Sequence, residues 1–137
     1  MSDKIFLDTN VIVYCYTSTE PVKRSIALQL AQQRDIWVST QVLQELSNTL
    51  RKKFHISWPD IQLTLQEIHQ NLEVFVNTYD VVLDATRIAN RYGFSFYDCL
   101  IISSCLANGC NILYSEDMQD GQVIDGVLEI RNPFKTF

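Results

Sequence analysis

The chain has 137 residues and a formal net charge of −5, because its 16 acidic side chains outnumber its 11 basic ones. This length suits one domain with its own hydrophobic core, and we expect a single domain over residues 1–137. Apolar residues make up 47% of the chain and charged residues 20%, a composition that excludes a disordered protein. The acidic balance argues against nucleic-acid binding through a broadly basic surface.

The sequence gives no sign of a membrane segment or a disulfide framework. No apolar stretch approaches the ~20 residues that a membrane-spanning helix needs, and the amino-terminal residues lack the pattern of a signal peptide. We therefore expect a cytoplasmic protein. The four cysteines include no Cys-x-x-Cys pair and are predicted to be buried free thiols; they are Cys15, Cys99, Cys105 and Cys110.

Short β-type runs alternate with amphipathic helical patterns along the chain. The predicted strands cover residues 5–7, 36–38, 73–76, 111–114 and 127–130. The predicted helices begin near Asn10 and then cover residues 22–34, 42–53, 57–71, 80–92 and 99–107. Strands that alternate with helices predict an α/β fold with a mainly parallel sheet.

Single residues predict some helix ends. Pro21 suits the first turn of a helix, which Ser18 or Thr19 would cap. The segment 99–107 is apolar on every side, so we expect it to be the most buried helix, and Gly109 is predicted to end it.

A cationic triplet, Arg51, Lys52 and Lys53, closes the third predicted helix. Cations complement the negative carboxyl end of a helix dipole, so capping and solubility explain the triplet without any ligand. Contact with phosphate groups explains it as well. The sequence leaves both interpretations open.

Four acidic residues are predicted to meet at one edge of the sheet. Asp8 directly follows the first predicted strand, and Asp117 follows the fourth by three residues. Asp98 opens the most apolar helix, and Glu45 lies in the first half of its own helix. Strand carboxyl ends and helix amino ends lie on the same side of a parallel sheet, where such sheets carry their ligands. The four carboxylates can therefore approach one another.

Crowded carboxylates repel one another, and a divalent cation removes the conflict. Mg²⁺ and Mn²⁺ prefer oxygen ligands and keep several waters, which suits hydrolysis of a phosphodiester bond. Each acid also has a structural explanation by itself: Asp8 as a helix cap, Asp98 as a first-turn residue, Asp117 as a turn residue and Glu45 as a solvated residue. The joint pattern favours a metal site.

These segments resemble the motifs of PIN domains. Asp8-Thr9-Asn10 after an apolar strand resembles the opening of such a domain. The segment 39–46 around Glu45, the pair Tyr97-Asp98, and the segment 113–121 follow in the same order as in PIN domains. The resemblance spans nearly the whole chain. It implies a three-layer α/β/α sandwich whose mainly parallel sheet has four to five strands.

The resemblance also implies an activity, which is metal-dependent hydrolysis of RNA with Mg²⁺ or Mn²⁺. The implied acidic quartet is Asp8, Glu45, Asp98 and Asp117, and the implied supporting polar residues are Asn10 and Ser115. Asp8 and Asp98 are expected to bind the metal directly, and Asn10 to orient Asp8 or a metal-bound water. Glu45 and Asp117 are left between direct ligation, ligation through water and action on the nucleophile. Two further acids, Glu116 and Asp120, are not assigned as ligands.

In length and composition the chain looks like the compact VapC-type toxins of bacterial toxin–antitoxin pairs. That likeness implies a type II toxin that forms a homodimer, cuts RNA, and binds a small antitoxin whose helices wrap beside the site. Two alternatives stay open: a non-catalytic interaction protein with structural acids, and a stand-alone RNA-processing nuclease without an antitoxin. A phosphatase of the haloacid-dehalogenase type is disfavoured, because it would need Asp-x-Asp where this chain has Asp8-Thr9-Asn10.

Overall fold

The computed structural model describes residues 2–135, so the predicted domain limits at residues 1 and 137 lie outside the described residues. The strands are Ile5–Leu7 (β1), Ile36–Ser39 (β2), Glu73–Phe75 (β3), Ile112–Tyr114 (β4), Val123–Ile124 (β5) and Leu128–Arg131 (β6). The helices are Thr9–Cys15 (α1), Pro21–Ala31 (α2), Thr40–Lys52 (α3), Trp58–Asn71 (α4), Tyr79–Tyr92 (α5) and Phe96–Ala107 (α6).

The strands form one sheet in the order β3-β2-β1-β4-β6-β5. All neighbours pair in parallel except β5, which runs antiparallel to β6. The predicted α/β fold with a mainly parallel sheet is confirmed. The predicted strand number of four to five is one too low for these residues, because β5 has only two residues and one of them, Val123, is half exposed. Two residues are too few for an alternating pattern to be seen in sequence.

The helices divide into two sets around the sheet. α1 contacts both α2 and α3, and α3 contacts α4, whereas α5 and α6 pack on each other. Connections between parallel strands are right-handed, and the chain moves from β1 to β3 in one direction before returning to β4 on the far side of β1. The two sets therefore cover opposite faces of the sheet, as expected for a three-layer sandwich.

The core is built on the central strand β1 and on α6. All three residues of β1 are buried, because the strand has a neighbour on each side and helices on both faces. In α6 every residue from 99 to 105 is buried, which confirms the expectation that this would be the most buried helix. All four cysteines are free and buried. No helix within residues 2–135 is long and apolar enough to cross a bilayer.

The start of α2 differs from its prediction. Its cap position is Glu20, whose side chain makes no capping hydrogen bond, so the prediction of Ser18 or Thr19 is wrong. Pro21 is the first helical residue, as predicted. Proline has no N–H group, which leaves one fewer donor for a cap to satisfy. The helix also ends at Ala31, before the predicted residue 34.

Candidate active site

A cleft of about 660 Å³ opens where the carboxyl ends of β1 and β4 meet. From β1 the chain proceeds to β2 on one side and reaches β4 on the other, so this is the topological switch point of the sheet, where open α/β proteins bind ligands. The structure brings all four acids of the predicted quartet into the lining, together with Asn10; the acids are Asp8, Glu45, Asp98 and Asp117.

Asp8 contributes both to the fold and to the lining of the cleft. Its backbone N–H donates to the carbonyl of Tyr114 at 3.0 Å, which extends the β1–β4 pairing by one residue. Its carboxylate caps α1 by accepting from the Thr9 N–H at 2.7 Å. The same carboxylate accepts from the hydroxyl of Ser115 at 2.8 Å and from the Asn10 amide at 3.4 Å. Asp8 therefore caps a helix and lines the cleft at the same time.

The carboxyl of Asp8 is in an environment that disfavours its charge. The residue is only 6% exposed. Burial raises the pKa of Asp8 to about 6, and the carboxylates of Glu45 and Asp98 add to the rise. Hydrogen bonds from Ser115 and Thr9 lower the pKa without cancelling the effect of burial. A cation at this point would stabilise the charged form.

Asn10 links three parts of the site. Its side-chain amide donates to Asp117 Oδ2 at 3.1 Å as well as to Asp8, while its carbonyl oxygen accepts the backbone N–H of Glu116 at 3.1 Å. The two acceptors and the one donor fix the orientation of the amide. Asn10 therefore holds one acid from each of the two strand ends at a fixed separation.

Ser115 lies behind the cleft and is fully buried. Its hydroxyl donates to Asp8 and accepts the backbone N–H groups of Asp117 and Met118, both at 3.3 Å. The side chain thus fixes the loop after β4 that carries Asp117. Both predicted supporting residues, Asn10 and Ser115, touch the acids that they were expected to accompany.

Glu45 reaches the cleft from α3 and is held by two donors that the sequence argument did not single out. Thr9 donates its hydroxyl to Glu45 at 2.5 Å, and Gln41 donates its amide at 3.3 Å. Gln41 also donates to the carbonyl of Tyr97, next to Asp98, at 3.1 Å, which ties α3 to the first turn of α6. One signal was available for Gln41: it precedes Glu45 by four residues, so the two side chains share a helix face.

The two unassigned acids have partners outside the quartet. Glu116 lines the cleft, but Tyr14 donates to one of its carboxylate oxygens at 2.6 Å and Lys23 to the other at 2.5 Å. Burial alone would raise the pKa of Glu116, yet the hydrogen bonds from Lys23 and Tyr14 outweigh it and hold the pKa below its usual range. Asp120 accepts the backbone N–H of Asn132 at 2.8 Å and is not part of the lining.

The donor set of the quartet fits a hard divalent cation. Within the described residues none of its four members pairs with a lysine, arginine or histidine. Within residues 2–135 no three acidic, histidine or cysteine side chains lie close enough together to hold a metal ion between them. Mg²⁺ binds through few carboxylates and keeps several waters, so an open set of carboxylate oxygens is the arrangement that this ion accepts.

Comparison with known proteins identifies the family. The model of the PIN domain matches residues 5–120, and the chain therefore belongs to the PIN domain family. A comparison with curated proteins finds no match.

Solved structures share this fold at low sequence identity. A toxin–antitoxin complex from Klebsiella pneumoniae superposes with a TM-score of 0.73 at 17% identity, over 96% of this chain and 99% of that one. VapC20 of Mycobacterium tuberculosis, described as a toxin that cleaves the sarcin–ricin loop, gives 0.69 at 20% identity, over 82% and 89%. VapBC2 of Rickettsia felis, bound to a DNA fragment from its promoter, gives 0.66 at 21% identity, over 93% and 98%. At such identities the likeness establishes the fold alone.

Proposed function

We propose that this PIN domain is a divalent-metal-dependent ribonuclease and that the quartet Asp8, Glu45, Asp98 and Asp117 is its active centre. The observation that carries the proposal is that four carboxylates, none of which forms an ion pair within residues 2–135, line one cleft at the switch point of the sheet. Four acids would not converge there for capping alone, because a single carboxylate, that of Asp8, already caps α1.

Bound Mg²⁺ or Mn²⁺ would stabilise the charge that develops on the phosphate and favour deprotonation of the attacking water. Asp8 and Asp98 are assigned to hold the metal directly. Glu45, fixed by Thr9, is assigned to take the proton from the attacking water. The water oxygen bonds to phosphorus while the bond from phosphorus to the 3′ oxygen breaks. The products are a 5′-phosphate and a 3′-hydroxyl, whose proton comes from solvent.

The test is cleavage of a single-stranded RNA by the purified protein in Mg²⁺, in Mn²⁺ and in EDTA. We expect cleavage only with metal, and a loss of at least about a hundredfold in Asp8→Asn and Asp98→Asn. Asp120→Asn is the matched control, because it removes an acid outside the cleft lining. Equal activity of all four proteins would contradict the assignment. Absence of metal-dependent cleavage in all four proteins, the wild type included, would favour the non-catalytic interaction protein.

The physiological role that we propose is that of the toxin in a cytoplasmic type II toxin–antitoxin pair. The fold shared with toxins and toxin–antitoxin complexes supports this role. A groove of about 820 Å³ between α1, α2 and α4 supports a helical antitoxin beside the cleft, since α1 borders both cavities. Induced expression should arrest bacterial growth, and Asp98→Asn should abolish the arrest. The product of a neighbouring reading frame should restore growth; if no neighbour does, the stand-alone nuclease is favoured.

A homodimer is the assembly that we propose. Large apolar side chains are exposed on α5 and at the start of α6, among them Tyr79, Leu83 and Tyr97. Exposed apolar patches of this kind mark interaction surfaces. Sedimentation analysis should give a dimer, and Leu83→Asp should give a monomer. A monomeric wild type would remove the dimer from the proposal without affecting the cleavage test.

A further inference from the structure

The active cleft continues along one face of α3, beyond the acids. Asn48 and Thr49 follow Glu45 by three and four residues, and Lys53 follows it by eight; all of them line the cleft. This spacing places them on one helix face. Lys53 therefore lies about 12 Å further along the helix axis than Glu45. The wall of α3 runs from a catalytic carboxylate, past two hydrogen-bonding side chains, to a cation.

Lys53 differs in charge from everything else in this cleft. Among the described residues the lining contains a single cation, Lys53, and these acids: Asp8, Glu20, Glu45, Asp98, Glu116 and Asp117. Lys53 forms no ion pair within residues 2–135. Its ammonium group lies 5.5 Å from the centre of the Phe54 ring, and that ring lines the same end of the cleft. By contrast, Lys23 is outside the lining and forms an ion pair with Glu116.

The structure also separates the members of the cationic triplet that closes α3. Arg51 donates to the carbonyl of Ile56 at 3.3 Å and lies over the Trp58 ring at 5.4 Å, so it fixes the connection between α3 and α4. Lys52 and Lys53 are both exposed, but Lys52 is outside the lining. Lys53 alone of the three faces the cleft. The structural and phosphate-binding interpretations therefore apply to different residues of the triplet.

We infer that Lys53 binds a backbone phosphate of a single RNA strand, next to the phosphate at the acidic quartet. This inference rests on the proposed ribonuclease function and names the path of its substrate. An RNA backbone brings a negative charge with every phosphate, and the acids of the lining repel those charges wherever no metal screens them. Lys53 supplies attraction at the far end, and Asn48 and Thr49 supply hydrogen-bonding groups between. A single strand suits this arrangement, because its flexible backbone can follow the line from Glu45 to Lys53 along one helix face.

Binding of fluorescently labelled oligouridine, followed by anisotropy over a range of salt concentrations in Mg²⁺, tests this inference. All proteins carry Asp98→Asn, so that the strand is not cut during the measurement. Lys53→Ala should weaken binding several-fold and reduce the slope of log K against log salt by ~0.7, the value for one contact with a single-stranded phosphate. Lys53→Arg should restore both. Lys52→Ala is the matched control and should change the slope by less than half as much.

Two outcomes would overturn the inference. Equal losses in Lys53→Ala and Lys52→Ala would mean that only general charge matters, and undiminished binding of duplex oligonucleotides would rule out the single-strand path. In proteins with Asp98 intact, Lys53→Ala should raise KM several-fold with little change in kcat.

If oligouridine binding depends on Lys53 but the wild type cuts no RNA in Mg²⁺ or Mn²⁺, the nuclease proposal fails and the phosphate site stands. If the wild type cuts RNA and Lys53→Ala binds as tightly, only the phosphate site fails.

Discussion

Two aspartates of this molecule, the buried Asp8 and the partly exposed Asp125, have opposite environments. Asp125 accepts from Arg87 at 2.8 Å and from the Tyr92 hydroxyl at 3.0 Å, and Arg87 holds the pKa of Asp125 below its usual range. Asp8 has only neutral hydrogen-bond donors, and burial raises its pKa to about 6. Asp125 fastens the turn before β6 to α5. Asp8 carries a charge that no side chain of the described residues neutralises. The difference between these two carboxylates is therefore whether a cation neutralises them.

The largest expected effect is on RNA cleavage, and it should appear when an acid of the cleft is replaced but not when Asp125 is replaced. Glu45→Gln keeps the shape of the side chain and an acceptor for the Thr9 hydroxyl but removes the negative charge to which we assign the proton transfer. Cleavage of RNA in Mg²⁺ should fall by about a hundredfold or more. Asp125→Asn should keep its cleavage rate within about twofold, since it lies outside the cleft. A wild-type rate in Glu45→Gln would remove Glu45 from the reaction.

The next effect concerns stability without metal. The pKa of Asp8 is about 6 in the folded chain against an ordinary value of 3.8, so the folded state binds the proton more tightly. The contribution of Asp8 to stability is therefore present below about pH 4 and is lost as the pH rises through about 6. Asp8→Asn should raise the free energy of unfolding in EDTA by up to about 3 kcal/mol at pH 8, and by much less at pH 4.

Chemical denaturation at the two pH values measures this difference. Asp125→Asn is the control with the opposite sign: the lowered pKa of Asp125 gives stability that is present at pH 8 and is lost as the pH falls. If Asp8→Asn destabilises the metal-free chain equally at pH 4 and pH 8, its cap and hydrogen bonds matter more than its charge.

A smaller effect, on Mn²⁺ binding, is expected at Glu116, which lines the cleft as Asp8 does but is ion-paired as Asp125 is. It lines the cleft, but Lys23 and Tyr14 occupy its two oxygens. Glu116→Gln removes one negative charge from the cleft and leaves Lys23 unpaired, so Mn²⁺ binding should weaken by about threefold. Titration calorimetry measures the change, and Lys23→Met should strengthen Mn²⁺ binding, because it leaves the negative charge of Glu116 unneutralised. A loss as large as that in Asp98→Asn would make Glu116 a ligand itself.

The smallest effect is the structural one. Asp125→Asn removes the charge partner of Arg87 while keeping a residue that tolerates the positive φ of 51° at this position. The free energy of unfolding at neutral pH should fall by about 1 kcal/mol, because the ion pairs are partly exposed. Added Mn²⁺ should stabilise this variant as much as the wild type. A smaller gain with Mn²⁺ would connect the turn before β6 to the site.

The sequence by itself determined the outline of the fold and the members of the candidate site. The apolar run of β1, the continuous apolar face of α6 and the acids that follow β1 and β4 are local patterns, and local patterns predict strands, buried helices and the sheet edge that carries ligands. Pro21 predicted the start of α2 correctly, because the preference of proline for the first turn of a helix is also a local property. The two-residue strand β5 was missed because its pairing with β6, not its own sequence, makes it a strand.

Only the tertiary structure decided which acids are paired. Glu116 and Asp117 are neighbours in sequence and carry the same charge, but Lys23, which is 93 residues away, reaches Glu116 and not Asp117. Lys52 and Lys53 are likewise neighbours that carry the same charge. Successive residues of a helix point in different directions, and only Lys53 lines the cleft. Such contacts depend on how distant segments pack, and residue type or spacing along the chain does not encode them. The sequence thus supplied the charges of the site, and the fold decided which of them are free to act.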